Sequence, residues 1–382
     1  MSSLNHASDP VEKEIVMLAP LPAPRKRPRL AKMIPIFRQA GYRVLFFGWE
    51  RVSGEMQGLA WSDSEVQEKA ILRGGGHVTR KARLMYPIWM LVVFWRVLLL
   101  GRGRVLFCLG WETAFPARIA AFITRSKVVF DDADRFSMIL RLPVPLHRLL
   151  QSLEKWTSRN CTLHIIPGWT RYDWCGENMI VLRNTPTLED FEAARHSVPQ
   201  RSDADLVVYV NGWLVDTRGA PIFLEALRKL ENRDFKVKMH IAGIVDTDTG
   251  RELIAHPSVI FHGEVPQRDA LALYPTSDVV LTYYDPDIPI NRQAESNKWG
   301  DCIFFGVPFV VNSEVETARE FIEAGAAWGV PYRDVDALVG LFEKLSRDKS
   351  KLLAARDACA RFIEHYPVFD AQMRKIIKIL AN

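Results

Sequence analysis

A short stretch of the chain combines a lysine and an aspartate with the signals that end a helix. Lys298 and Asp301 are three residues apart, so a helix places both on one face. Gly306 suits the position after the last helical residue, where φ is positive, and Pro308 stops the helix from continuing. Free N–H groups at the start of such a helix bind anions, and Lys298 adds positive charge. The stretch therefore predicts a diphosphate site in which Asp301 accepts hydrogen bonds from two ribose hydroxyls.

Other segments precede this stretch in an order that is typical of a known family. A strand with an Arg-Gly turn lies at 207–219, a strand ending in glycine at 240–243, a Phe-x-Gly segment at 259–265, and a Ser-Asp-Val segment at 277–281. Together with the lysine-aspartate stretch, they resemble glycosyltransferases of the GT-B fold, family 4 type, over residues 183–345. The resemblance implies an α/β chain of the GT-B class, with two Rossmann-like domains facing a cleft.

The resemblance also implies which residues bind a nucleotide sugar. Lys298 would bind the diphosphate, Asp301 the ribose, and Arg218 would offer a second positive charge to the leaving nucleotide. The donor-binding residues so implied are Gly212, Arg218, Ser296, Asn297, Lys298 and Asp301. Gln293 and Asp301 stand where retaining members carry two glutamates, and the Asn-Lys-x-x-Asp order is similar to bacterial inverting glucuronosyltransferases that build exopolysaccharides. The stereochemistry of transfer therefore stays open.

An inverting transfer needs a base that removes the proton of the acceptor hydroxyl. Asp131, Asp132 and Asp134 follow a predicted strand directly, at the edge where a parallel sheet presents its active-site loops. Clustered carboxylates raise one another's pKa, which suits a base. Asp134 aligns best with the family's catalytic loop, and Asp131 and Asp132 are the alternatives. A helix N-cap cluster is the structural alternative for all three.

The basic run Arg25, Lys26 and Arg27 follows the first predicted strand, near the acceptor position of GT-B enzymes. Such a run suits an acceptor pyrophosphate or uronate. It also resembles a nucleic-acid patch, but no aromatic residues are interleaved with it, so nucleic acid is not predicted as a partner.

Length and composition fit a two-domain enzyme of the cytoplasm. The chain has 382 residues, of which 48% are hydrophobic and 25% charged. Its five cysteines are widely spaced and include no Cys-x2-Cys pair, which predicts neither disulfides nor a zinc site. Asp-x-Asp pairs are attributed to chance and no full dinucleotide fingerprint occurs, so neither a metal nor a nicotinamide cofactor is expected. Residues 1–10 lack the pattern of a signal peptide.

Positive charge is concentrated in the first half of the chain. Residues 1–180 hold 26 Lys and Arg against 15 Asp and Glu, whereas the remainder holds 24 against 30. Residues 87–100 are strongly apolar, contain two tryptophans and are flanked by basic residues. The segment is too short to span a bilayer. It predicts either an in-plane helix on an anionic membrane surface or a core helix packed on the sheet.

Predicted strands and helices alternate along both halves, for example a strand at 105–109 followed by a helix from about 115 to 124. This alternation indicates two Rossmann-like domains. We expect an acceptor-binding domain at 1–183, a linker at 184–204, a nucleotide-sugar domain at 205–365, and a last helix within 366–382 that crosses back to the first domain. The sequence thus predicts a metal-independent glycosyltransferase that moves a sugar from a nucleotide donor to a glycan or lipid-linked acceptor in bacterial polysaccharide or glycolipid assembly. A nucleotide-sugar epimerase and a non-catalytic scaffold of the same fold are the alternatives.

Overall fold

The computed structural model describes residues 13–61, 66–77, 79–140 and 142–381. It divides into two compact units: the first unit contains residues 1–182 and 371–382, and the second unit contains residues 183–370. Residues 1–10, in which no signal-peptide pattern was expected, lie outside the described residues.

The first unit is built on a parallel sheet of seven strands, in the order β3-β2-β1-β4-β5-β6-β7. The strands are β1 (Lys13–Ala19), β2 (Tyr42–Glu50), β3 (Val66–Arg73), β4 (Val105–Leu109), β5 (Lys127–Asp131), β6 (Leu163–Ile166) and β7 (Met179–Val181). The helices are α1 (Pro28–Gln39), α2 (Glu55–Leu59), α3 (Arg80–Leu84), α4 (Tyr86–Leu100), α5 (Trp111–Thr124), α6 (Phe136–Ile139) and α7 (Val144–Asn160). The strand order reverses between β1 and β4, and ligands of such sheets bind beyond the carboxyl ends of the strands at that point.

The second unit repeats this plan with six parallel strands, in the order β10-β9-β8-β11-β12-β13. The strands are β8 (Leu206–Asn211), β9 (Val237–Ala242), β10 (Val259–Gly263), β11 (Val279–Thr282), β12 (Phe309–Asn312) and β13 (Ala327–Val330). The helices are α8 (Leu188–His196), α9 (Ala220–Leu230), α10 (Asp248–Ile254), α11 (Gln267–Ala272), α12 (Asn297–Phe305), α13 (Arg319–Glu323), α14 (Val335–Arg347) and α15 (Lys349–Arg361). Here the order reverses between β8 and β11.

The last helix, α16 (Phe369–Ala381), runs from the end of the second unit into the first. Its side chains Met373, Ile376 and Leu380 are buried, and Lys127 Nζ donates to the carbonyl of Leu380 at 3.1 Å. Residues 184–204, expected to form a linker, lie within the second unit and contain α8, whose N-cap Thr187 accepts from the backbone N–H of Asp190.

Apolar side chains cover both faces of the second sheet, which explains why its strands are almost continuously hydrophobic. In the first unit, α4 and α5 pack over the sheet, and Trp89 of α4 donates its indole N–H to Thr113 of α5 at 3.0 Å. Burial on α4 recurs at Trp89, Val93 and Val97, the spacing of a single helix face.

Candidate functional site

Two glycines lie side by side where β8 and β9 end. Gly212 has φ +94 and Gly243 has φ +135, values that side chains rarely adopt. A Cβ added to Gly243 would lie 2.0 Å from the carbonyl oxygen of Gly212, so the two backbones touch. These two strand ends, of which β8 lies beside the switch point, are therefore bare backbone, which lets a ligand approach closely.

Lys298 stands next to this bare backbone. Helix α12 begins at Asn297, and the hydroxyl of its N-cap Ser296 accepts from the N–H of Lys298 at 3.3 Å. A Cβ on Gly212 would lie 3.7 Å from Lys298 Nζ, which places the ammonium beside the end of β8. Lys298 is half-buried and makes no ion pair within the part of the chain that the structure describes. An unpaired ammonium, a helix N-terminus and a glycine turn thus converge at one point, as an anion site requires.

Asp301 lies one turn further along α12 and faces inward. It is 4% exposed, and its carboxylate accepts from the hydroxyl of Tyr274 at 3.2 Å. Burial, together with the negative charge of Asp301, raises the pKa of Tyr274 well above its usual value. The side-chain amide of Asn211 donates to the same tyrosine oxygen at 3.2 Å. Asp301 is thereby linked through Tyr274 to the last residue of β8.

The remaining predicted donor-binding residues lie at the surface of the second unit. Asn297 is exposed, and Arg218 is partly exposed on a short turn before Gly219. The guanidinium of Arg218 stacks 4.4 Å from the ring centroid of Tyr284, just after β11. The structure therefore brings Gly212 next to Lys298, and it holds Arg218, on the same loop after β8, against Tyr284 at the end of the neighbouring strand β11.

The three aspartates after β5 have different surroundings. Asp131 is fully buried and pairs with Arg29 at 2.8 Å. Burial, as the largest effect, raises the pKa of Asp131. Asp132 is also buried and accepts from the Tyr172 hydroxyl at 2.8 Å.

Asp134 is the most exposed of the three, with 43% of its side chain accessible. It lies 3.4 Å from Arg27 and 3.5 Å from Arg171. Asp134 is therefore the member of the cluster that solvent reaches directly.

A fourth carboxylate, Glu112, lies in the first turn of α5, directly beyond β4. It is buried, and no described residue forms an ion pair with it. Burial raises its pKa to about 7, opposed by its own backbone N–H, which lowers the value, and assisted by the charge of Asp132, which raises it. The positive charges of Arg27 and Arg51 also lower the pKa, but their effect is smaller than the increase caused by burial. A carboxyl group that titrates near neutrality is suited to proton transfer.

Glu112 and Asp134 both line a cavity of about 1050 Å³ in the first unit. Its positively charged wall includes Arg27, Arg51 and Arg83. Of the predicted basic run, only Arg27 reaches this cavity. Lys26 pairs with Glu55 at 3.2 Å, and Arg25 stacks 4.6 Å from the ring of Trp61.

Helix α4 has one apolar face that packs in the core, as the core-helix interpretation expects, and exposed apolar side chains on its other side. One face is buried in the first unit, whereas the other exposes large side chains, with Leu91 58%, Trp95 56% and Leu99 77% accessible. Arg96, the charged residue inside the helix, turns away and stacks 4.1 Å from the ring centroid of Phe47. Among the described residues, no helix is long and apolar enough to cross a membrane.

Sequence analysis included none of Arg51, Asn211, Tyr274 and Glu112 among its candidate site residues, and it considered Arg83 only as one of the basic residues that flank 87–100. The signal available for Glu112 and Asn211 was position, since both lie at strand ends beside a switch point. Arg51 follows β2 and is held by Trp49 and Tyr86, two contacts that require the folded chain. Within the described ranges, no group of three or more His, Cys, Asp or Glu could hold a metal ion.

Residues 204–348 match the family described as "Glycosyl transferases group 1". No curated protein matches the chain in sequence. Among solved structures, sucrose-phosphate synthase from Thermosynechococcus elongatus superposes with a TM-score of 0.70 at 10% identity, covering 97% of this chain and 98% of that one. A glycosyltransferase from Rickettsia africae gives 0.67 at 13% identity, covering 97% and 100%. Anabaena HepE, in complex with UDP and glucose, gives 0.63 at 14% identity, covering 96% and 99%. The predicted fold, an α/β chain with two Rossmann-like domains of the GT-B class, is confirmed.

Proposed function

We propose, from the premise that this chain is a glycosyltransferase of the GT-B fold, that it transfers a sugar from a nucleoside diphosphate sugar to a glycan or lipid-linked acceptor. The observation that carries the proposal is the unpaired Lys298 ammonium beside the Gly212 turn. The HepE structure contains UDP, which supports a nucleoside diphosphate as the leaving group here. We place the activity in the assembly of a polysaccharide or glycolipid.

In this proposal the second unit binds the donor. Lys298 and the free N–H groups of α12 contact the diphosphate, and Gly212 leaves room for it because it has no side chain. Arg218 adds charge that stabilises the departing diphosphate, so the proposal includes no metal ion. Asp301 is buried against Tyr274, and its contact with the ribose remains a prediction. Ser296 and Asn297, at the start of α12, complete the predicted donor site.

The first unit supplies the acceptor side and the base. In an inverting transfer, the acceptor oxygen forms a bond to the anomeric carbon, the bond from that carbon to the diphosphate breaks, and a carboxylate takes the hydroxyl proton. Asp134 and Glu112 are the carboxylates that line the cavity, whereas Asp131 is occupied by Arg29. Of the two, Glu112 has no ionic partner in the described chain and has the raised pKa.

Lys298→Ala tests the donor site without requiring a known acceptor. Calorimetric titration with UDP, GDP and ADP should identify a nucleoside diphosphate that the wild type binds. The variant should bind it at least 10-fold more weakly, because a charge-assisted hydrogen bond contributes about 1.5 to 3 kcal/mol.

Lys238→Ala is the matched control, since Lys238 also lies on the second unit but donates to the carbonyl of Pro257. Equal affinity in wild type and Lys298→Ala would contradict the proposed donor site.

The exposed face of α4 supports a second part of the proposal, attachment to an anionic membrane surface. Trp95, Leu91 and Leu99 present apolar area, and the exposed residues Arg80, Lys81 and Arg102 lie at the two ends of the helix. Apolar side chains with tryptophan and basic flanks are typical of helices that lie in the membrane interface. A lipid-linked acceptor would be reached from that position.

Co-sedimentation with vesicles tests this attachment. The protein should bind phosphatidylglycerol vesicles and dissociate from them as the salt concentration rises. It should not bind vesicles of pure phosphatidylcholine. Leu91→Glu/Leu99→Glu should abolish binding. The control Leu353→Glu changes a leucine of the second unit that is 63% exposed and should bind normally. Equal recovery of wild type in the supernatant with both vesicle types would rule out the attachment.

A further inference from the structure

The cavity of the first unit is lined by both apolar and positively charged side chains. Phe136, Ile139 and Leu140, at and around α6, and Met90 of α4 are apolar lining residues. Arg51 and Arg83 are positively charged lining residues. A ligand that carries an anionic group next to an aliphatic chain would match both sets.

Arg51 is held in place by neutral groups. Its guanidinium stacks 4.1 Å from the centroid of the Trp49 ring and donates to the Tyr86 hydroxyl at 3.0 Å. Neither Arg51 nor Arg83 forms an ion pair with a residue that the structure describes. Aromatic stacking fixes the position of a guanidinium and leaves its charge available to an anion.

The carboxylates of the cavity do not cancel this charge. Asp134 is already shared between Arg27 and Arg171. Glu112 is buried, with a pKa raised to about 7, so it carries only part of a charge at neutral pH. Two arginines therefore remain uncompensated in a cavity of about 1050 Å³, large enough for an extended ligand.

We propose that this cavity binds the acceptor as an amphipathic anion, a phosphate or diphosphate joined to an aliphatic chain, with Arg51 and Arg83 on the phosphate and Met90, Phe136 and Ile139 on the chain. The inference rests on the proposed transferase function and narrows its acceptor to the lipid-linked class. Because Met90 belongs to α4, the aliphatic chain runs beside the helix whose opposite face is exposed.

Calorimetric titration with farnesyl diphosphate, below its aggregation concentration, tests the proposal. Farnesyl diphosphate should bind at least 10-fold more tightly than inorganic pyrophosphate, glucose 6-phosphate or the neutral amphiphile octyl glucoside. Arg51→Gln/Arg83→Gln should lower the affinity for farnesyl diphosphate at least 10-fold. Ile139→Glu should lower the affinity for farnesyl diphosphate and leave the affinity for pyrophosphate unchanged.

Two further variants separate this site from the donor site and from misfolding. Lys298→Ala should bind farnesyl diphosphate like the wild type, even if it loses nucleotide. Arg51→Lys, which keeps the charge, and the exposed single change Arg83→Gln report on the site if the double variant does not fold. Unchanged affinity in Arg83→Gln, or in Arg51→Gln/Arg83→Gln where it folds, would overturn the proposal, as would loss of farnesyl diphosphate binding in Lys298→Ala. Pyrophosphate or octyl glucoside binding as tightly as farnesyl diphosphate would also overturn it.

Discussion

The two switch points of this molecule share one architecture and carry opposite chemistry. In the first unit, α5 begins beyond β4 with the buried carboxyl group of Glu112. In the second unit, α12 begins near the end of β8 with the unpaired ammonium of Lys298. Helix N-termini favour anions in both places. The N-terminus of α5 is therefore next to a carboxyl group of its own chain. The N-terminus of α12 is next to the Lys298 ammonium instead, and an anionic ligand can bind there.

This difference shows that one residue in the first turn of a helix can change the chemistry of the same type of sheet edge. In the proposed function, the first edge supplies a carboxyl group for proton transfer and the second binds the diphosphate of the donor. The glycines differ in the same sense. A Cβ at Gly110 would meet the movable carboxylate of Glu112 at 2.7 Å, but a Cβ at Gly243 would meet fixed backbone.

The largest expected effect comes from Gly243→Ala. The added Cβ would lie 2.0 Å from the Gly212 carbonyl oxygen at φ +135, so the two strand ends must separate. We expect the second unit to lose about 3 to 5 kcal/mol of unfolding free energy, from the clash and the backbone strain. Denaturant unfolding measures this loss.

Gly263→Ala is the control, because Gly263 has φ +72 but nothing within 4 Å of an added Cβ. It should cost about 1 to 2 kcal/mol, from the backbone conformation alone. Equal losses at the two positions would show that the contact between the strand ends has no energetic role.

A smaller effect is expected from Glu112→Gln, and it depends on pH. The pKa of Glu112 is raised in the folded protein from the usual 4.5 to about 7, so folding favours the protonated form. The stability that this group contributes is complete below the unfolded pKa and is lost as pH rises through the folded one. Between pH 5 and pH 8 the wild type should lose roughly 2 to 3 kcal/mol that the variant keeps.

Unfolding at both pH values checks this prediction, with the exposed Glu177→Gln as control. If wild type and Glu112→Gln lost the same amount of stability from pH 5 to pH 8, the proton-exchanging role of the first edge would be refuted.

The smallest effect is expected from Ser296→Ala, which removes the side-chain cap of α12. The Ser296 hydroxyl accepts from the Lys298 N–H at 3.3 Å, a long bond, so the loss should be about 0.5 to 1 kcal/mol. Ser296→Gly should cost only a few tenths of a kcal/mol by the same measurement. A much larger loss of nucleotide affinity than of stability would show that the hydroxyl binds the donor directly.

Alternation of apolar strands with helices was enough to predict both sheets. The strand at 105–109 was placed at its observed bounds, and the helix that ends before Gly306 was recognised from its C-terminal signals. Strand β3 was missed because it is an edge strand whose side chains are mostly half-buried, so its hydrophobic pattern is weak. Helix α5 begins four residues before the predicted start, since Gly110 and a glutamate mark its first turn instead of a Ser, Thr, Asp or Asn cap.

The candidate site was less accessible to sequence than the fold. Lys298 and Gly212, which the structure places side by side, could be predicted as site candidates because anion sites at strand-to-helix turns leave a local pattern of glycine and charge. The burial of Asp301 and of Glu112, by contrast, depends on neighbours far along the chain, such as Tyr274 and Asp132. No local sequence pattern indicates which carboxylate becomes buried and desolvated on folding. That desolvation decides which carboxyl group has a pKa near neutrality.

Helix α16 imposes an order on the synthesis of this protein. The first unit takes its opening residues from the start of the chain and its last helix from residues 371–381, and Met373, Ile376 and Leu380 are buried. On the ribosome, the seven-stranded sheet therefore emerges early but lacks this cover until the whole second unit has been made. Until then, the surface of the first unit that the buried side chains of α16 contact stays exposed.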